Sequence, residues 1–322
     1  MMIIIKGIKN KINIILKNKI FLLNMPNSNN IHLVGEEEDS YSSNNTPIFS
    51  KIVYKGDPRE QSFLSYLKEV ICPFFVFKSF SFTILIINLV VFIISLIPYG
   101  LEPSQKSVKL LPPSIKTLEI FGSLWGIKIR QSFLQSYRWI ANSVLHGNFE
   151  HLFSNSLGIL FFGTMVEYLI GTLKYALIYI LSGILGSLFT VLIQTNSSSV
   201  GASICCFGIL GSLLGFYVMN WKALSRIFGV NNKCLIVVFP IMMIFLSLTI
   251  ITANDTEINM YGHLGGIIFG FFLSLCFIKP KKQTDVCIFN ARILFFIGLI
   301  ICISFPVVGF TCFYVLDHYK IE

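Results

Sequence analysis

From about residue 75 onward, long apolar stretches alternate with short polar ones. Seven of them, near 79–98, 151–171, 174–194, 201–220, 234–252, 261–278 and 292–315, reach the roughly 20 apolar residues that carry a helix across the hydrocarbon core of a bilayer. The basic stretch from Lys279 to Arg292 separates the last two. Composition agrees with this pattern. At 54% hydrophobic, 13% charged and a mean hydropathy of +0.73, the chain is unlike an ordinary soluble domain of 322 residues. The expected fold class is an all-α polytopic membrane protein with its membrane domain at 75–315.

The charges give this bundle an orientation. Lys222, Arg226 and Lys233 share one connection, and Lys279, Lys281, Lys282 and Arg292 share another. The 195–200 connection carries no charge, and 253–260 holds Asp255 and Glu257. Basic loops stay on the cytosolic side, so the N-terminus is expected there and the tail at 316–322 on the lumenal or extracellular side. The 99–150 segment falls on the lumenal side despite Lys106, Lys109, Lys116, Lys128, Arg130 and Arg138, and is long enough to translocate with them. Trp125, Tyr137 and Trp139 within it suit elements lying in the membrane interface. A net charge of +9 distributed in this way reflects topology, and nucleic acid is not an expected partner.

Residues 1–70 are expected to form a cytosolic, largely disordered region. Lys6, Lys9, Lys11, Lys17 and Lys19 stand among Ile, Leu and Asn with no acid before residue 25. Three readings stay open for 1–24: an organellar presequence, a flexible cytosolic tail, or an upstream start with Met25 as the working initiator. Glu36 to Asp39 and Ser40 to Asn45 form the polar tract that follows. The eight cysteines form no CxxC pair, and read as small apolar fillers with no metal site and no cofactor. Cys205 and Cys206 lack the context of a nucleophile.

Polar residues inside apolar helices are costly and mark function or packing. Ser203, in Gly201-Ala202-Ser203, opens the fourth apolar stretch, and His263 opens the sixth. Both enter from the same side by the charge pattern, so a nucleophile and a base lie at similar depth. Gly201, Gly208, Gly211 and Gly215 give the fourth stretch a small face. Gly262, Gly266 and Gly270 form a GxxxGxxxG ridge on the sixth, and such faces let helix backbones approach closely. His151 and Asn155, four apart, share a helix face. They are either donors aimed at a common oxyanion or polar residues bonding neighbouring helices. Phe207, one turn after Ser203, is placed either to pack on the imidazole or to fill the core. No acid stands close enough to His263 to complete a triad, so a Ser-His dyad is expected.

Arg138, His146, His151 with Asn155, Gly201 with Ser203, and His263 with Gly266 and Gly270 occur in that order. In this the chain resembles the rhomboid intramembrane serine proteases across about 75–315. The resemblance implies a six-helix core plus a seventh C-terminal transmembrane helix, as in the secretory type of eukaryotic rhomboids. It implies Ser203 as nucleophile, His263 as general base, and an oxyanion site of His151, Asn155 and the Ser203 amide. Arg138, His146 and Glu167 match structural positions. The Ile/Asn/Lys bias and layout resemble apicomplexan rhomboids, which implies single-span transmembrane substrates of the parasite-adhesin kind. The chain departs from the family at Ile204, where glycine commonly follows the serine, and at Tyr137, where tryptophan commonly precedes the arginine. A branched residue at 204 is tolerable in helix geometry but could crowd the pocket, which bears on substrate preference and rate and leaves the nucleophile in place. The alternative to a protease is a catalytically inactive relative that binds membrane clients for trafficking or degradation. A transporter would need charged or discontinuous mid-membrane residues and internal repeats, and the sequence has neither.

Overall fold

A computed structural model describes residues 74–102, 110–220, 259–278 and 290–315. The expected span at 234–252, the basic connections at 221–233 and 279–289, Asp255, Glu257, the region 1–70 and the tail 316–322 lie outside the described residues.

The first apolar stretch forms α1 (Phe80–Ser95), started by Ser79, whose hydroxyl accepts from the Phe82 amide at 3.1 Å. It is shorter than the 79–98 expected from hydropathy, because Pro98 disfavours helical geometry at the residue before it. The 99–150 segment is built of short pieces. These are α2 (Ile115–Phe121), strand β1 (Leu124–Trp125), α3 (Gly126–Gln131), a 3-10 turn at Phe133–Tyr137, α4 (Arg138–Ala141) and a 3-10 turn at Asn142–Val144. Phe133 and Leu134 in this segment are among the most exposed large apolar side chains.

The second apolar stretch is one continuous helix, Phe149–Ile170. It comprises α5 (Phe149–Gly158), a π-helical turn at Ile159–Gly163, and α6 (Thr164–Ile170). Gly171, at φ +88°, breaks it from α7 (Thr172–Ile193). Strand β2 (Ser198–Ser199) precedes α8 (Ala202–Asn220), followed by α9 (Met260–Phe277) and α10 (Ala291–Tyr314). The Phe149–Ile170 helix, α7, α8, α9 and α10 are each long and apolar enough to cross a membrane. The fold is that of an all-α polytopic membrane protein, since a helix pairs its own backbone groups where water is absent.

Helix α8 is the centre of the bundle, with nearly every side chain buried, whereas α10 lies on the outside with most of its surface free. The seam between α8 and α9 is a contact of backbones. A methyl at Gly266 would fall on the carbonyl oxygen of Ile204, and one at Gly270 on that of Gly208. At Gly208 it would meet the Ser182 hydroxyl of α7. Around α8 the core collects Ile159, Phe162, Val166, Tyr175 and Tyr179. A second cluster, of Leu124, Ile129, Trp139, Leu188, Val191 and Phe313, ties the 99–150 segment to the last turn of α10.

Sequence reading did not anticipate one pairing. Leu124 and Trp125 form an antiparallel ladder with Ser199 and Ser198, joining the 99–150 segment to the approach of α8.

Candidate active site

The N-terminal ends of α5, α8 and α9 converge at one end of the bundle, where His146, His151, Asn155, Ser203 and His263 gather. Gly201 opens α8: its amide donates to the Asn142 carbonyl at 3.0 Å and its carbonyl accepts from Ile204 N at 2.9 Å. A side chain at 201 would strike the Asn142 amide oxygen, so glycine is required by space. Ser203 follows as the second residue of α8, where a helix has no internal acceptor for the amide. Its amide is therefore left without an intrahelical acceptor, close to its own hydroxyl.

Ser203 and His263 are almost fully buried, and Ser203 Oγ lies 2.7 Å from His263 Nε2. The ring of Phe207 stacks on the imidazole, with centroids 4.3 Å apart and planes 23° from parallel. His263 Nδ1 is buried with no hydrogen-bond partner among the described residues. Among the described residues no carboxylate is bonded to it, and packing against Phe207 is the visible constraint on the ring.

On α5, Asn148 caps the helix by accepting from the His151 amide at 2.8 Å. His151 is half-buried and within electrostatic reach of His263. The Asn155 side-chain nitrogen is buried and without an acceptor among the described residues. Its backbone carbonyl accepts from the Cys206 thiol at 3.8 Å, which fixes α5 beside the first turn of α8. An unpaired buried donor is costly, and Asn155 shares that state with His146 and His263 at the same end of the bundle.

His146 packs edge-on against His151, ring centroids 5.3 Å apart. Burial, with the nearby His151 adding to it, pushes the His146 imidazole down from 6.5 to about 3, so it is neutral at physiological pH. Arg138 is buried and used in full view of its neighbours. It donates to Gln135 Oε1 and the Ser123 carbonyl, each at 2.7 Å, and its guanidinium lies near the Tyr137 ring.

Glu167 lies at the other end of the bundle, away from Ser203. Its carboxylate accepts from the amides of Phe80 and Ser81 at 2.8 Å, the Ser81 hydroxyl at 2.7 Å and the Thr172 hydroxyl at 2.8 Å. A negative group at those first-turn amides suits the positive end of α1.

Ile204 does not face a pocket, contrary to the expectation of crowding. Its side chain is fully buried in the helix seam, where added methyls at Gly186 and Gly262 would stand 2.5 and 2.7 Å from it. Glycines on α7 and α9 accept the bulk that a glycine after Ser203 would have spared.

Two residues at this end were missed in the sequence, Asn142 and Asn259. Both are buried and hydrogen-bonded to several elements. An asparagine four residues before His263, at the start of an apolar run, carries the signature of a helix N-cap.

The Rhomboid domain profile matches residues 134–280, from the turn before Arg138 to the end of α9. The chain carries a Rhomboid domain over this span. RHOMBOID-like protein 7 of Arabidopsis thaliana is 31% identical over 184 residues, 56% of each chain. Rhomboid-like protease 1 of Toxoplasma gondii is 28% identical over 221 residues, 68% of this chain and 70% of that one. Inactive RHOMBOID-like protein 8 of Arabidopsis thaliana is 31% identical over 155 residues. The match spans little more than half the length of the first of these relatives. In this chain, α1 and α10 lie outside the matched domain, and α10 follows the histidine-bearing helix as an additional C-terminal span.

Proposed function

We propose that this chain is an intramembrane serine endopeptidase acting through a Ser203–His263 dyad. The observation that carries the reading is the 2.7 Å contact between Ser203 Oγ and His263 Nε2 at the mouth of an apolar bundle. For Nε2 to accept the serine proton, the ring carries its own proton on Nδ1. Ser203 Oγ then attacks the carbonyl carbon of a peptide bond, and the proton moves to His263. The Asn155 amide, the His151 ring and the Ser203 backbone N–H hold the resulting oxyanion. His263 returns the proton to the departing amine, and water, reaching the site from the aqueous side, releases the acyl group.

The substrates are single-span transmembrane proteins of the bilayer, adhesin-like surface proteins among them. They are cut near the lumenal or extracellular end of their helix, where the helix must unwind to expose a carbonyl. Basic connections on the far side orient the N-terminus to the cytosol, in the secretory pathway or plasma membrane. An organellar membrane is the alternative if residues 1–24 act as a presequence.

The test is cleavage of a fluorogenic single-span reporter by purified protein, comparing wild type with Ser203→Ala and His263→Ala. Both variants are expected to be inactive, and normal turnover by either would remove the dyad. Asn155→Ala is expected to lose about 10²–10³ in turnover while folding normally. A client-binding relative without activity is the second reading, prompted by the inactive Arabidopsis relative. Labelling of Ser203 by a fluorophosphonate separates the two, because an inactive protein stays unlabelled.

A further inference from the structure

The imidazole of His263 has no acceptor at Nδ1 among the described residues, so no side chain steers the ring from behind as an acid does in a triad. Its position rests on the Phe207 stack and on where the backbone of α9 begins. That beginning is set by Asn259. The Asn259 carbonyl accepts from the His263 amide at 3.1 Å, and its side-chain oxygen accepts from the Gly262 amide at 2.7 Å. Two successive first-turn amides, one of them the base's own, hang from a single residue.

The rest of the Asn259 amide reaches other elements. Thr190 on α7 directs its hydroxyl between the Gly186 carbonyl at 3.0 Å and Asn259 Oδ1 at 3.1 Å. Asn259 Nδ2 donates to Ser199 Oγ at 3.1 Å. Ser199 stands four residues before Ser203, in the strand paired with Leu124. Gly262 closes the space beneath, since a methyl there would lie 2.8 Å from Asn259 Cγ. Asn259 therefore joins the start of the histidine helix to the segment that leads into the serine helix, with α7 as the fixed third point.

Resting on the dyad reading above, we propose that Asn259 is a positioning residue that sets the depth of His263 relative to Ser203. It acts through main chain and cap, in place of the acid that a triad would supply. Displacements of about 1 Å at reacting atoms cost about 10²-fold in rate, so a residue that only places the base has a kinetic signature. Its loss lowers kcat and leaves KM near the wild-type value, because substrate binding does not use it.

The experiment measures kcat and KM on the same single-span reporter for the folded fraction of each variant. Asn259→Ala is expected to lose roughly tenfold or more in kcat, with KM within about threefold. Asn259→Asp keeps the shape and both acceptor bonds, and is expected to recover most of that loss. The double variant Ser199→Ala, Thr190→Val keeps the cap and cuts both bridges. It covers the case in which Asn259→Ala fails to fold, and is expected to lose kcat as well. The proposal is overturned if Asn259→Ala, or the double variant, turns over within about twofold of wild type, or if Asn259→Asp is no better than Asn259→Ala. Ser203→Ala and His263→Ala run beside them. If those two retain turnover the dyad falls and the positioning role with it. If they are inactive while Asn259→Ala is normal, the positioning role alone falls.

Discussion

Substituting Gly266 by alanine tests whether the backbone seam between α8 and α9 fixes the candidate pair. The new methyl would fall on the carbonyl oxygen of Ile204, 3.2 Å from its carbonyl carbon and 3.3 Å from the Gly208 amide nitrogen. All three are main-chain atoms of the central helix, so nothing rotates aside. Relief requires α9 to withdraw by about 1 Å, and a misplacement of that size at the reacting atoms costs about 10²-fold in rate. The 2.7 Å contact between Ser203 Oγ and His263 Nε2, one turn from Gly266, then opens beyond hydrogen-bonding range. Turnover of the reporter in proteoliposomes is the assay, with resistance to unfolding in sodium dodecyl sulfate reporting the fold. Gly158→Ala is the control, because a methyl there meets nothing within 4 Å. Folded Gly266→Ala protein with turnover close to that of Gly158→Ala would refute the reasoning.

Two further substitutions probe features away from the pair. Glu167→Ala leaves four donors without their acceptor, the Ser81 amide and hydroxyl buried among them, and is expected to lower unfolding stability by about 3–5 kcal/mol, with Gln recovering part. Equal stability of Ala and wild type would show that the carboxylate does not hold α1. Ile204→Ala opens a cavity in the seam and is expected to cost about 2–5 kcal/mol in the same unfolding measurement, while reporter preference stays unchanged. A shift in preferred cleavage residue without loss of stability would place Ile204 against substrate instead.

Much of the bundle is legible in the chain because lipid permits few solutions. An apolar run of the right length has to pair its backbone internally, so α7, α8, α9 and α10 fall within a few residues of their expected positions. The glycine ridge on α9 likewise foretold close approach to α8, since small residues in register leave only backbone at the surface. The site was harder to read where side-chain direction matters. Ile204 appeared as a threat to the pocket because adjacency to Ser203 says nothing about which way a helical residue points. That direction is decided by Gly186 and Gly262, far away in sequence. The β1–β2 ladder, two residues on each side, has no detectable period, and arises from a long-range meeting of loops. Asn259 escaped notice for a related reason. Its cap pattern is local, but its bonds to Thr190 and Ser199 span 69 and 60 residues.

The carboxylate of Glu167 also bears on how the protein comes to be assembled. The amides of Phe80 and Ser81 find their acceptor 87 and 86 residues later in the chain. When α1 first leaves the ribosome, Ser79 can cover the Phe82 amide, and the two before it have nothing. Those donors have to remain at the water boundary until the second apolar helix has been threaded and its last turn has come back alongside. The Thr172 hydroxyl, at the start of the third helix, then fills the same carboxylate. One acid thus makes the first helix wait for the second and third, so the bundle closes at that end as a unit of three helices.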